Sequence, residues 1–344
     1  MATSQRAIVI GASAGGLEAL KEVVSRLPAD LPVPVFVVLH IPAYEPSSLP
    51  AILSKAGPLS AVHPQDGTKI EAGCIYIAPP DHHLLIEGSY IAVRKGPKEN
   101  RFRPSIDALF RSAAYVYGSK AIGVVLSGAL DDGMSGLWSI KRLGGITIVQ
   151  DPNQARFESM PRSALEYVEV DHNLPSMEIG ALLGRLAKEQ PVSGVEVESE
   201  IKARMAKEVQ IAAENGAFQK GIMELGTLTP FTCPECHGAL VKIAEGKMSR
   251  FRCHTGHAYT DNALLEAVME STGEILWQVI RSLEEGVMLL NHMGQHLHDA
   301  GDADRAETFF TKAHEPDKRS KTFHAAVLNH ESLSGDNLGQ QPED

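Results

Sequence analysis

Short apolar runs alternate with helix-period stretches through the first half of the chain. Residues 7–10, 33–39, 74–78, 121–126 and 146–150 are rich in Val and Ile and read as strands buried on both faces. Between and after them, apolar positions recurring at helical spacing predict helices over 17–27, 105–117, 133–143, 160–166 and 177–188. Such alternation is the pattern of a parallel sheet covered by helices. After Cys74-Ile75-Tyr76-Ile77-Ala78, the runs at 84–86 and 90–93 look like a hairpin, so a mixed, mostly parallel sheet is expected. Residues 96–104 are polar and, with the adjoining Lys95, basic through Lys98, Arg101 and Arg103, and predict an exposed loop at the sheet's edge. Beyond residue 190 the pattern changes. Ile201, Met205 and Val209 mark a helix in an acidic stretch, and Leu276, Ile280, Leu283, Val287 and Leu290 recur at heptad steps. That seam fits an ordinary packed helix, or one that pairs with a second copy or docks a partner. A second helix is expected near 303–313, and 333–344 reads as a disordered tail.

These shifts divide the 344 residues into 1–190, an acidic helical linker at 191–225, a small module at 226–262, a helical region at 263–330 and a tail at 331–344. No apolar run reaches the roughly 18 residues of a membrane span, and Met1 to Arg6 carries no signal-peptide pattern, so membrane insertion is not expected and a cytoplasmic location is. The formal charge of −11 argues against nucleic acid as a partner.

Chemistry enters where polar groups follow buried strands. Gly11-Ala12-Ser13-Ala14-Gly15 has the Gly-x-Ser-x-Gly form of a nucleophile elbow, a sharp strand-to-helix turn that presents a hydroxyl beside helix-start amides. A dinucleotide-binding turn would want glycine at Ser13 and an acid closing the next strand; that strand ends on His40 instead. A plain turn with no chemistry also fits those residues. The run at 121–126 leads into Ser127-Gly128-Ala129-Leu130-Asp131-Asp132-Gly133. Serine, histidine and aspartate thus follow three separate strands at the rim where open α/β sheets react. A hydroxyl needs a base to take its proton, and an imidazole needs a carboxylate to fix its tautomer. Spacing does not choose between Asp131 and Asp132, either of which would also serve as a helix cap or first-turn acid. His63, His82, His83 and His172 are the other histidines of this half.

The segments Ile10-Gly11-Ala12-Ser13-Ala14-Gly15-Gly16, Leu39-His40-Ile41-Pro42, Gly73 to Leu84, Arg103-Pro104-Ser105-Ile106-Asp107, Leu126 to Gly133, Gln150-Asp151-Pro152 and Met160-Pro161-Arg162 stand in order along the chain. Together they resemble the CheB-type catalytic domain of chemotaxis receptor protein-glutamate methylesterases. The resemblance implies a doubly wound, mostly parallel Rossmann-like α/β fold and a triad of Ser13, His40 and Asp132. It implies hydrolysis of glutamyl methyl esters on a methyl-accepting chemoreceptor, with glutamine deamidation as a companion activity and no catalytic cofactor. Backbone N–H groups at Ala14 and Ala129 are candidates for an oxyanion hole. The chain departs from the family pattern at Ala14, where threonine is usual, and at Gly128-Ala129-Leu130, where Gly-Met-Gly is usual. The family's receiver domain is also missing ahead of the strand starting at Ala7, so control by phosphorylation in cis is not expected. A catalytically silent adaptor of a chemosensory complex is the alternative.

Three of the four cysteines crowd into the module at 226–262. Cys233-Pro234-Glu235-Cys236 is followed 17 residues later by Cys253-His254-Thr255-Gly256-His257. That spacing resembles a zinc ribbon, in which Cys233, Cys236, Cys253 and His257 would close a structural tetrahedral Zn²⁺ site. His254 and His237 are the rivals for the fourth position.

Overall fold

The computed structural model describes residues 6–190, 199–214 and 216–328. Its first strands are β1 (Ala7–Ala12), β2 (Val35–Leu39), β3 (Ser60–Val62) and β4 (Cys74–Ile77), followed by β5 (His83–Glu87) and β6 (Tyr90–Arg94), then β7 (Ala121–Val125), β8 (Ile146–Gln150) and β9 (His172–Leu174). Seven of them form one sheet in the order β3-β4-β2-β1-β7-β8-β9. Every pairing in it is parallel. The antiparallel β5–β6 hairpin stands apart as a two-stranded sheet, so the expected mixture of directions lies between two sheets and not within one. Strands β3 and β9, three residues each, carry too little apolar pattern to be read from sequence.

The central strands are buried on both faces, and their side chains alternate between two cores. Ile8, Ile10 and Ala12 point toward α1 (Gly16–Ser25), α2 (Leu49–Ala56) and α6 (Ser176–Leu186), among Leu20, Leu53 and Leu183. Ala7 and Val9 face α3 (Ile106–Tyr117), α4 (Met134–Arg142) and α5 (Ser159–Tyr167), among Phe110, Leu137 and Met160. Strand order runs outward from β1 in both directions, which creates a topological switch point between β1 and β7.

Helix α7 (Ser199–Ala213) follows, and Met205 on it joins the second core. A four-stranded antiparallel sheet comes next: β10 (Thr227–Thr232), β11 (Ala239–Glu245), β12 (Met248–Cys253) and β13 (Ala258–Thr260). Two long helices close the described chain, α8 (Asp261–Asp299) and α9 (Ala303–Leu328). The molecule divides into two compact units, Met1–Leu264 and Leu265–Asp344, so the ribbon-like sheet shares a unit with the catalytic-type sheet. Within the second unit, α9 runs antiparallel to α8, joined by Trp277 against His324, Ser320 to Glu284, and Phe310 over Gly294. The heptad seam lies on α8, with Ile280 fully buried. The expected tail at 333–344 lies outside the described residues, as does 191–198 of the expected linker. No helix among the described residues is long and apolar enough to cross a membrane.

Candidate active site

Three loops at the carboxyl rim of the parallel sheet meet beside the switch point. After β1 the chain turns at Gly15, whose φ of 67° suits glycine, and enters α1. The Ser13 N–H donates to the Ser127 carbonyl (3.0 Å), and the Gly16 N–H donates to the Ser13 carbonyl (2.9 Å). Ser13 is therefore fixed from both sides, with Gly128 pressed so close that a Cβ there would fall 2.9 Å from the Ser13 Cβ. One strand over, the His40 N–H extends the β1–β2 ladder by donating to Ala12. This register places the imidazole directly over the serine: Ser13 Oγ lies 3.0 Å from His40 Nδ1. His40 Nε2 lies 3.0 Å from Asp132 Oδ2, in the loop after β7. The pair is secluded, with side-chain exposures of 7% for His40 and 1% for Asp132.

The choice that spacing left open is made by orientation. Asp131 faces away and accepts from the Thr260 hydroxyl (2.8 Å), whereas Asp132 faces His40. Asp132 is saturated with donors: Oδ1 accepts from Asn100 Nδ2, the Ser105 hydroxyl and the Asp107 N–H, and Oδ2 accepts from the Ile106 N–H (2.7 Å). Burial by itself would raise its pKa, but the bond to His40, that group's charge, and the Ile106 and Asn100 donors outweigh burial and keep it below the usual carboxylate range. Asp132 is thus held ionised, an acceptor that requires the Nε2–H tautomer of His40. The lone pair at Nδ1 is then free to receive the Ser13 proton.

Asp107 behaves oppositely. Burial first, and the charge of Asp132 second, push its carboxyl up to about 8. The two carboxyl groups share the Asn100 amide, and their repulsion in so dry a place raises Asp107 while the donors around Asp132 lower that group.

The residues that hold Ser13, His40 and Asp132 in place were not picked out in the sequence. Asn100 and Phe102 belong to the loop expected to be exposed, but Glu99 and Asn100 are 1% and 3% exposed. Strand β13 covers that loop, and buried Arg111 and Arg252 neutralise Glu99. Phe102 stacks on His40 with ring centroids 3.9 Å apart and planes 12° from parallel. Ser105 and Asp107 carried a signal, since both sit at the start of a predicted helix where Ser and Asp cap; here their polar groups serve Asp132 and the start of α4 instead.

Residues 8–183 match the CheB methylesterase family. The chain belongs to that family. A protein named as a protein-glutamate methylesterase/protein-glutamine glutaminase in Leptospira interrogans is 42% identical over 181 residues, covering 52% of this chain and 94% of its own length. A like-named protein of Rhodospirillum rubrum is 37% identical over 177 residues, and there the match spans 50% of this chain and 48% of the relative. The crystal structure of the Thermotoga maritima CheB methylesterase catalytic domain superposes with a TM-score of 0.52 at 34% identity, covering 54% of this chain and all of that one. The chain is a hydrolase of the protein-glutamate methylesterase type, a class that needs no cofactor for its chemistry.

Around Ser13, the two expected oxyanion donors differ in setting. Among the described residues neither the Ala14 nor the Ala129 N–H is taken by another backbone group, while the Gly128 N–H between them is spent on the Phe157 carbonyl (3.0 Å). Ala14 is half-buried and Ala129 exposed.

The cysteine module forms a second cluster. The ligand atoms of Cys233, Cys236, Cys253 and His257 all lie within 4.8 Å of one another. Cys236 to Cys253, and His257 Nδ1 to both Cys233 and Cys253, measure 3.6 Å. Tetrahedral zinc with Zn–S of about 2.3 Å places neighbouring ligands roughly 3.7 Å apart, so the donor set and spacing fit such an ion. His254 lies instead over Gly238, and His237 adopts a left-handed φ of 59° in the Cys-x-x-Cys turn.

Proposed function

We propose that this protein hydrolyses glutamyl methyl esters on a methyl-accepting chemoreceptor or a similar signalling protein of the cytoplasm, using Ser13, His40 and Asp132 as its triad. The reading rests on one observation, the hydrogen-bonded line from Ser13 Oγ through both nitrogens of His40 to Asp132. Ser13 Oγ attacks the ester carbonyl carbon as its proton passes to His40 Nδ1, and Asp132 stabilises the resulting imidazolium through Nε2–H. The Ala14 and Ala129 N–H groups receive the oxyanion, each such donor being worth about 3 kcal/mol. On collapse the carbon–oxygen bond to the methoxy group breaks, and the Nδ1 proton goes to that oxygen, releasing methanol. Water, deprotonated by the same nitrogen, then cleaves the acyl-serine to leave a glutamate carboxylate. A glutamine amide would enter the same cycle with ammonia leaving. Cys233, Cys236, Cys253 and His257 hold a structural zinc ion, with no open position for chemistry, and about one zinc per chain is expected on elemental analysis.

Methanol release from a methylated chemoreceptor tests the reading. Ser13→Ala should reduce the rate about 10⁶-fold. A wild-type chain that releases no methanol, or a Ser13→Ala chain that releases it normally, defeats the assignment and leaves the adaptor role.

A further inference from the structure

We propose that the metal-holding ribbon is a clamp on the loop that positions the triad, so that turnover depends on metal bound outside the reacting groups. The clamp rests on the esterase reading for its effect on rate, but not for its effect on structure.

The loop in question is costly to form. Asn100 and Arg101 are consecutive non-glycine residues with φ of 50° and 73°, a conformation that L side chains keep only where their surroundings impose it. The ribbon supplies that imposition. Strand β13 runs alongside the loop: the Asn100 N–H donates to the Ala258 carbonyl (2.8 Å), and the Ala258 N–H donates to the Lys98 carbonyl (3.2 Å). Arg252 of β12 donates to the buried Glu99 carboxylate at 2.6 Å. The decisive contact is made by the Asn100 side chain. Its Oδ1 accepts from the Thr260 N–H of β13 (3.0 Å), while its Nδ2 donates to Asp132 Oδ1 and Asp107 Oδ2, each at 2.9 Å. One carboxamide therefore joins the ribbon's backbone to the triad aspartate. Phe102, two residues on, is the ring that backs His40.

The metal cluster governs whether β13 is there to clamp. Cys253 ends β12, His257 immediately precedes β13, and the turn between them is closed by the Cys253 N–H donating to the His257 carbonyl (3.0 Å). Ala258, which bonds the loop, is thus the residue next to a ligand. A three-residue strand joined to a small four-stranded sheet relies on such a cross-link for its order. Without it, Thr260 no longer holds the Asn100 amide, and the left-handed pair is free to relax. Asn100 and Phe102 act here as positioning residues, through their contacts to Asp132 and His40.

The experiment compares the full chain loaded with Zn²⁺ against the same chain stripped by a chelator. Amide exchange at Ile106 and Asp107, whose N–H groups donate to Asp132, is followed together with kcat and KM for methyl ester hydrolysis. Stripping should lower kcat about 10- to 100-fold, the usual consequence of a displaced catalytic group, with KM changed less than about twofold and Zn²⁺ restoring the rate. Exchange at Ile106 and Asp107 should rise while β1 and β7 stay protected. In Asn100→Ala, where the bridge is already cut, stripping should cost only a few-fold more, because the two changes act through one path. The stripping arm needs no variant, so a poorly folded Asn100→Ala does not remove the test. The clamp is overturned if either kcat or the two amides are indifferent to metal, if β1 and β7 lose protection as well, or if Asn100→Ala suffers the full loss again. A loaded chain with no esterase activity defeats the function proposed above instead, and exchange at Ile106 and Asp107 then decides the clamp alone.

Discussion

Replacing Asp132 by asparagine should disable the site by reversing a single tautomer. The carboxylate accepts three hydrogen bonds at Oδ1, from Asn100, Ser105 and the Asp107 N–H, and two at Oδ2, from His40 Nε2 and the Ile106 N–H. An asparagine whose NH₂ took the Oδ1 place would face the NH₂ of Asn100 and the Asp107 N–H together. The less costly orientation keeps oxygen at Oδ1 and turns NH₂ toward His40 and Ile106. Two consequences follow. The Ile106 N–H loses its acceptor in a buried place, which costs about 1–3 kcal/mol of stability. More important, His40 must now accept at Nε2, so its proton moves to Nδ1 and points at Ser13, where no lone pair remains to take the hydroxyl proton. The corresponding change in serine hydrolases lowers kcat about 10⁴-fold, or roughly 5.5 kcal/mol in the barrier. Removing the Asp132 charge should also let the Asp107 carboxyl, now held near 8, fall. Methanol release with kcat and KM separated, alongside a melting curve, gives the answer: kcat drops with KM little changed and the chain stays folded. A folded Asp132→Asn enzyme that retains more than about a tenth of wild-type kcat refutes the tautomer argument.

Two further changes probe the same rim and its support. Gly128→Ala would set a Cβ 2.0 Å from Met160 Sδ and 2.9 Å from the Ser13 Cβ, so the serine must shift. We expect a rate loss of about 10²-fold with a stability loss of about 1–3 kcal/mol, and wild-type turnover would show that the Ser127–Gly128 contact does not place the nucleophile. Glu99→Gln leaves Arg111 and Arg252 buried against a neutral partner, at a cost of about 3–5 kcal/mol near neutral pH in urea unfolding. Burial would raise the Glu99 carboxyl, but the charges of Arg111, Arg252 and Arg250 override it and hold it at about 2. Its contribution is therefore complete above the ordinary value near 4.5 and is lost as pH falls toward 2. The gap between wild type and Glu99→Gln should close over that interval, and a gap that ignores pH would mean the carboxylate is not what holds the loop.

The residues of the proposed triad were legible in the sequence because Ser13 and His40 directly follow strands that announce themselves and Asp132 lies in the loop after a third. Parallel strands buried on both faces must be apolar almost throughout, so β1, β2 and β7 stand out, and whatever polar residue ends them lies at the reactive rim. Spacing did not separate Asp131 from Asp132, although the family resemblance implied Asp132, because neighbours in a loop differ in direction and not in spacing; in the structure Thr260, from a remote segment, occupies Asp131. The helix expected near 303–313 is longer in the structure, since α9 runs on through Pro316 while Ser320 and His324 beyond it are held against α8. Local chemistry argued for an end there, and packing from another element overrode it.

The loop at 96–104 is the most instructive failure, and it bears on how the site works. Basic composition normally marks a solvated segment, but here Glu99 pairs with an arginine 153 positions away. That arginine, Arg252, also meets Glu208 of α7, which reaches Arg250 in turn, and Arg250 pairs with Glu245 across the β11–β12 hairpin, giving a buried array that joins the loop, α7 and the ribbon. Isolated buried ions are expensive, and breaking one member strands the rest. Such an array stabilises little against an apolar core of equal size, but its pairings favour the seating of the ribbon in which Arg252 reaches both Glu99 and Glu208. That specificity is what a positioning device requires: the Asn100 amide must reach both Thr260 and Asp132, and a ribbon seated one residue out of register would present the wrong backbone group to it. The groups of the proposed triad are thus written beside their own strands, whereas those that hold them depend on pairings across the first unit, and only the former have a local signature.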